Sequence, residues 1–236
     1  MPSNKKHHYV PHFYLKRFSP NGKSINLCNT PKELKVISAN LKNQCCKDYF
    51  YGKDLRVESA LGVVEGLAAQ TFRLIDHYGT PPPYGSAAHL ILIVYLLMQY
   101  GRTAYSADSL NEMSDKMMKH LLGPKAEVEG IDLSKVTIGI KNAPHFFLGM
   151  TSTQFPFLLD LHFKLLSNET DVEFVASDNP VVLYNQLFSF RRFGSNTGFL
   201  SKGLQIFFPI SSRTLLLFYD SASYSVGSRS HSVTRV

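Results

Sequence analysis

The sequence predicts an α+β protein: a short N-terminal helix and a β-hairpin, a helical middle, and a C-terminal antiparallel sheet. Three observations carry this. Apolar residues recur at helical spacing from about residue 57 to residue 122. After residue 170 the pattern changes to short β-rich runs, EFVAS, PVVLY, LQIFFP and TLLLFYD, separated by turn residues. Near the start, SINLCNT and LKVISAN alternate in the manner of paired strands. Segregating helices from strands along the chain is the α+β signature.

Each element has a local reason. Pro11 suits the first turn of a short helix over HFYLKRF, because its fixed φ and missing N–H fit there. SPNGKS is a turn leading into the hairpin, and QCCKDYFYGKD reads as irregular. A helix is expected over 57–78, with residues 57, 60, 61, 64, 67, 68, 71, 75 and 78 on one stripe. GTPPPYG ends it. The next helix begins near Ser86 and runs to Leu122, bent or interrupted around Gly101. Residues 123–143 are expected as a loop with a short element, and 145–168 as a helix kinked or restarted by Pro156.

Bulk properties narrow the class. The chain has 236 residues, 44% apolar and 18% charged, as expected for one globular domain over 1–236. Cys28, Cys45 and Cys46 are odd in number and lack C-x-x-C spacing, so reduced thiols and a cytoplasmic location are expected. No apolar secretory segment follows the N-terminal lysines and histidines. The run AAHLILIVYLLM at 87–98 is too short to cross a bilayer and reads as a buried helix. No membrane association is expected.

The net charge is +7, unevenly spread. Residues 1–56 hold 11 Lys+Arg against 3 Asp+Glu, residues 57–176 hold 8 against 13, and residues 177–236 hold 6 against 2. Basic ends around an acidic middle could attract nucleic acid or a nucleotide, or could simply match the acidic segment internally. The chain lacks a P-loop, a G-x-G-x-x-G fingerprint, G-x-S-x-G, H-E-x-x-H and zinc-type cysteine spacing, which argues against the chemistries those motifs perform.

Four stretches carry candidate chemistry. In HHYVPHFYLKRF, Pro11 prevents a continuous helix across His8 and His12, so the i,i+4 metal face fails, and His8 precedes the helix where it could act as an acid–base group. The alternative is an arm pinned by its aromatics. Glu58 and Glu65 share one helix line with backbones about 10 Å apart, which favours one facing a pocket and the other pairing with an arginine. Gln99 and Arg102 share a helix face beyond a wholly apolar segment, so a buried Arg102 requires a carboxylate or a ligand phosphate. Ser177-Asp178-Asn179-Pro180 is a strong turn signal between β-type runs, and Asp178 there could serve as a base or metal ligand.

In order, HYVPHFYLKRF, Glu58-x6-Glu65, Gln99-x-x-Arg102-Thr103 and SDNPVV resemble the domain of unknown function 4238 family, whose hallmark is H-Y-V-P-x-F-Y-L-x-x-F with a downstream S-D-x-P. The resemblance covers about residues 7–218. It implies that His8, Tyr9, Pro11, Arg17, Glu58, Glu65, Gln99, Arg102, Ser177, Asp178 and Pro180 occupy pattern positions, and that His7 and His12 do not. Family members usually continue past the last strand. Residues 219–236 are accordingly expected as a polar tail, truncated or partly disordered.

Polar residues drawn from four distant segments imply one convergent site. The expected function is a nuclease-type hydrolase acting on phosphodiesters of nucleic acid or nucleotide, in a toxin or phage-defence setting. His8, Glu65 and Asp178 are its expected catalytic residues. Arg17, Gln99, Arg102, Tyr9 and Asn179 would bind substrate, Glu58 and Ser177 would support them, and a divalent metal is a candidate cofactor. The competing expectation is a non-catalytic binding module in which Arg17, Arg102, Glu58 and Asp178 form a buried salt-bridge network.

Overall fold

The computed structural model describes residues 5–228 and 232–236. Its N-terminal arm is a short strand, β1 (Lys6–His8), then α1 (His12–Leu15), which runs into a 3-10 turn over Lys16–Phe18. The expected hairpin forms from β2 (Ser24–Asn29) and β3 (Leu34–Asn40), paired antiparallel. QCCKDYFYGKD is more ordered than its composition implies. Within it, β4 (Cys46–Asp48) pairs antiparallel with β1, placing His7 opposite Lys47 and His8 opposite Cys46. Only tertiary pairing makes this a strand.

The helical middle holds α2 (Arg56–Tyr78), α3 (Ala87–Gly101) and α4 (Ala104–Val128). Helix α2 buries Leu61, Ala68, Thr71 and Ile75 of the predicted stripe together with Phe72, while the stripe members Ala60, Leu67 and Tyr78 are exposed. Gly79, at φ 64°, takes the left-handed conformation that closes its C-terminus. Ser86 caps α3 by accepting from the His89 N–H, and α3 is apolar nearly all round because other elements cover most of it. The predicted interruption near Gly101 is a clean break. Thr103 turns extended and caps α4 through the Ser106 N–H at 3.1 Å.

Two expected boundaries shift. Helix α4 continues through Pro124 to Val128 instead of ending near Leu122. The stretch 145–168 is not one kinked helix: α5 (Ala143–Ser152) and α6 (Phe155–Leu158) are followed by a strand, β5 (His162–Ser167). A short apolar run cannot be assigned by periodicity alone. Here the ladder with β8 (Thr214–Tyr219), from His162 opposite Tyr219 to Ser167 opposite Thr214, decides it.

The C-terminal sheet has the order β6-β7-β8-β5-β9, with β6 (Val182–Tyr184), β7 (Gln205–Pro209) and β9 (Val233–Arg235). All neighbouring pairs are antiparallel except β5 with β9. Strand β8 is buried on both faces: Leu216 and Phe218 join the main core, while Leu215, Leu217 and Tyr219 form a second cluster. EFVAS forms no strand and lies outside this sheet, held by the Phe174 N–H donating to the Ser212 carbonyl. Of the expected polar tail, Val233–Arg235 form β9 and so supply an edge of the sheet.

The main core joins arm, helices and sheet. Val10, Tyr14 and Leu41 lie in it with Phe72, Tyr95 and Phe208, and the Tyr14 and Phe208 rings stack at 5.5 Å. The Tyr14 hydroxyl donates to the Pro209 carbonyl at 2.6 Å. Residues 6–18 are thus built into the body of the protein.

Candidate functional site

The arm meets the break between α3 and α4 at Arg102. Its side chain is 2% exposed, and each of its three guanidinium nitrogens has an internal partner. Nη1 pairs with Glu65 Oε1 at 2.6 Å, Nη2 donates to the His8 carbonyl at 2.5 Å, and Nε donates to the Tyr51 hydroxyl at 3.2 Å. Tyr51 donates back to the Arg102 carbonyl at 3.1 Å. Burial acts to lower the Arg102 pKa, but Tyr51 and Glu65 outweigh it and hold the guanidinium charged. Gln99, one turn earlier, donates to the Tyr9 carbonyl at 3.0 Å. The arm is therefore gripped through its backbone at two successive residues.

Strand geometry gives the neighbouring histidines different surroundings. Successive side chains of β1 point to opposite faces. His7 is fully buried, stacks on Tyr51 at 5.8 Å, and accepts the Tyr51 N–H on Nδ1 at 3.2 Å. His8 is half-buried, and burial lowers its pKa, with a smaller opposing effect from a backbone hydrogen bond with Lys42. Glu58 lies in the field of His7, Arg102 and Glu65. Burial raises its carboxyl above the ordinary 4.5 despite His7 and Arg102. Glu58 Oε2, His8 Nε2 and His7 Nε2 are buried atoms with no hydrogen-bond partner among the described residues.

The SDNP corner reaches the same junction from the sheet side. Thr103 Oγ1 donates to Asn179 Oδ1 at 3.2 Å, and the Asn179 N–H donates to Ser177 Oγ at 3.1 Å. Ser177 and Asp178 are exposed. The field of Asp178 falls on Tyr9 and Cys45, where it adds to burial in raising both pKa values, Cys45 up to about 12.

Arg17 belongs elsewhere. It makes a bidentate pair with Asp76 at 2.7 Å, donates to the Ile210 carbonyl, and lies over the Phe72 ring at 5.2 Å. Asp76 follows Glu65 by eleven residues, about 16 Å along α2. The structure thus brings together His8, Tyr9, Glu58, Glu65, Gln99, Arg102 and Asn179, and places Arg17 at a separate anchor. Arginine pairing also differs from expectation: Glu65 and Asp76 hold Arg102 and Arg17, whereas Glu58 and Asp178 make no ion pair among the described residues. Geometry decides this, since Glu65 is the α2 carboxylate that reaches Nη1.

Tyr51, His7, Thr103 and Asp76 complete these contacts without having been singled out as site residues. Thr103 stood inside the quoted Q-x-x-R-T motif. His7 stood outside the family pattern, and nothing in QCCKDYFYGKD marked Tyr51 as a partner for Arg102. Among the described residues, no three His, Cys, Asp or Glu side chains gather to hold a metal ion. No helix among them is long and apolar enough to cross a membrane.

An α+β body with its N-terminal arm fastened at a helix junction by a buried arginine is the class this geometry defines. The chain belongs to the family described as Protein of unknown function (DUF4238), whose model matches residues 6–235. No curated protein and no solved structure matches it.

Proposed function

We propose that the chain is a non-catalytic binding module whose motif residues lock the arm to the helices. One observation carries this reading: Nε, Nη1 and Nη2 of Arg102 each donate to a group inside the protein, on a side chain only 2% exposed. Arg17 is similarly held by Asp76 and Ile210. An anion clamp needs donors facing solvent or a pocket, whereas a structural network is closed.

A second reading, a nuclease-type hydrolase of toxin or phage-defence type, is favoured by Glu58 and His8. Both carry buried polar atoms without partners, and burial moves their pKa values toward each other. An acid and a base tuned in this way suit proton transfer to and from a phosphodiester, with Glu65 and Asp178 as further carboxylates.

His8 separates the two. It serves the lock through its backbone carbonyl, so His8→Ala keeps that acceptor and removes only the imidazole. We expect no cleavage of RNA, DNA or nucleotides, with or without divalent metal, by wild type, His8→Ala or Asp178→Ala, and near-native stability for both variants. Cleavage by wild type that falls about a hundredfold or more in folded His8→Ala would establish the hydrolase instead.

A further inference from the structure

The segment between β6 and β7 presents an unusual surface. Phe190 and Phe193 are 95% and 89% exposed, with Arg191 and Arg192 between them. Isolated exposed apolar residues are ordinary, but two nearly bare phenylalanines flanking two arginines on one loop are not. No acidic residue occurs between Asp178 and Asp220, a stretch that holds Arg191, Arg192, Lys202 and Arg213. Neither Arg191 nor Arg192 makes an ion pair among the described residues.

The loop is held firmly at its base. Asn185 is buried, caps the turn at Phe188 N–H, and donates to the Lys202 carbonyl at 2.8 Å, tying the two ends together. Tyr224 accepts the Leu187 N–H at 2.9 Å and donates to Gly203 at 3.0 Å. Farther along, Phe199 packs edge-on against Tyr100 at 5.4 Å. Within the segment, Arg191 lies over the Phe188 ring at 3.6 Å, and Gly194 just after Phe193 has φ 89°. Rings and cations are therefore displayed on an anchored scaffold.

We propose that this loop binds single-stranded nucleic acid, with bases stacking on Phe190 and Phe193 and phosphates meeting Arg191 and Arg192. Aromatic rings accept any base face, and guanidinium groups neutralise the backbone between them. The order of residues favours this partner over an anionic membrane. A membrane-dipping loop works best with apolar residues at the apex and cations behind; here burying both rings in lipid would draw the two guanidinium groups that lie between them in the chain toward the hydrocarbon. The inference stands apart from the Arg102 lock and from any cleavage activity.

The test is fluorescence anisotropy of the full chain with labelled oligothymidylate and oligouridylate, the matching duplex, and vesicles of phosphatidylcholine with phosphatidylserine. Single strands are expected to bind more tightly than duplex. Phe190→Ala with Phe193→Ala should weaken single-strand binding about tenfold or more, since each stacked base contributes substantially. Arg191→Gln with Arg192→Gln should lower the salt slope of log K by about 0.7 per lost phosphate contact. Exposed side chains make all four substitutions compatible with folding, which circular dichroism checks. Absence of single-strand binding, binding indifferent to loss of the rings, or binding to vesicles alone would overturn the proposal.

Discussion

Replacing Arg102 tests the central physical claim, that a buried guanidinium fastens the arm to the helix junction. Arg102→Met keeps a long apolar side chain but removes donors from Glu65, the His8 carbonyl and the Tyr51 hydroxyl. Breaking a buried ion pair costs about 3–5 kcal/mol, chiefly because the remaining partner is left uncompensated. The Glu65 side chain is 25% exposed, so water stabilises part of its charge and the lower end, about 3 kcal/mol, applies. For a chain of this size that is a fall in Tm of about 6 °C. Arg102→Met with Glu65→Leu removes both charges. It should recover much of the loss, leaving about 1–2 kcal/mol from the His8 carbonyl, since the Tyr51 hydroxyl keeps the residue-102 carbonyl as its acceptor. Urea unfolding of wild type and both variants measures this. A single-variant loss below about 1 kcal/mol, or a double variant less stable than the single, would refute the lock.

Two further perturbations follow. Glu58 has a raised folded-state pKa, so folding disfavours its charged form; the penalty is absent below the ordinary 4.5, grows as pH rises through that value, and is complete above the raised pKa. Glu58→Gln should therefore stabilise the protein at neutral pH and lose that advantage in acid, with equal stability gains at both pH values contradicting the assignment. Gly101→Ala would place a Cβ 2.1 Å from Thr151 Oγ1 and 3.2 Å from Leu148 Cα, an overpacking that should cost about 1–3 kcal/mol. Gly149→Ala meets nothing within 4 Å and should gain up to about 1 kcal/mol in helix propensity, so similar unfolding midpoints for the two variants would count against the close approach of Thr151 and Leu148 to Gly101.

Much of the fold was legible because its signals are local. The 3.6-residue stripe of α2, the β2–β3 alternation and the helix break beside Gly101 can all be read from neighbouring residues. Strands β4, β5 and β9 were not legible in this way. Cys46–Asp48, His162–Ser167 and Val233–Arg235 become strands because β1, β8 and β5 offer them ladders. EFVAS shows the converse, a strand-like composition that finds no place in the sheet.

The site divides similarly. A polar pair ending an apolar helix implied, for a buried Arg102, a carboxylate or a ligand phosphate as partner. Which carboxylate, and that Tyr51 and the His8 backbone would share the task, depended on how α2, α3 and the arm pack. The sequence by itself determined the α+β class, the helices of the middle and the burial of α3, since propensity and periodicity act through residue identity. Only the tertiary structure decided that Glu65 closes the Arg102 pair, that Asp76 takes Arg17, and that Glu58 and His8 keep unpartnered atoms. Those outcomes depend on distances of a few ångströms between segments far apart in the chain, which spacing along one sequence does not encode.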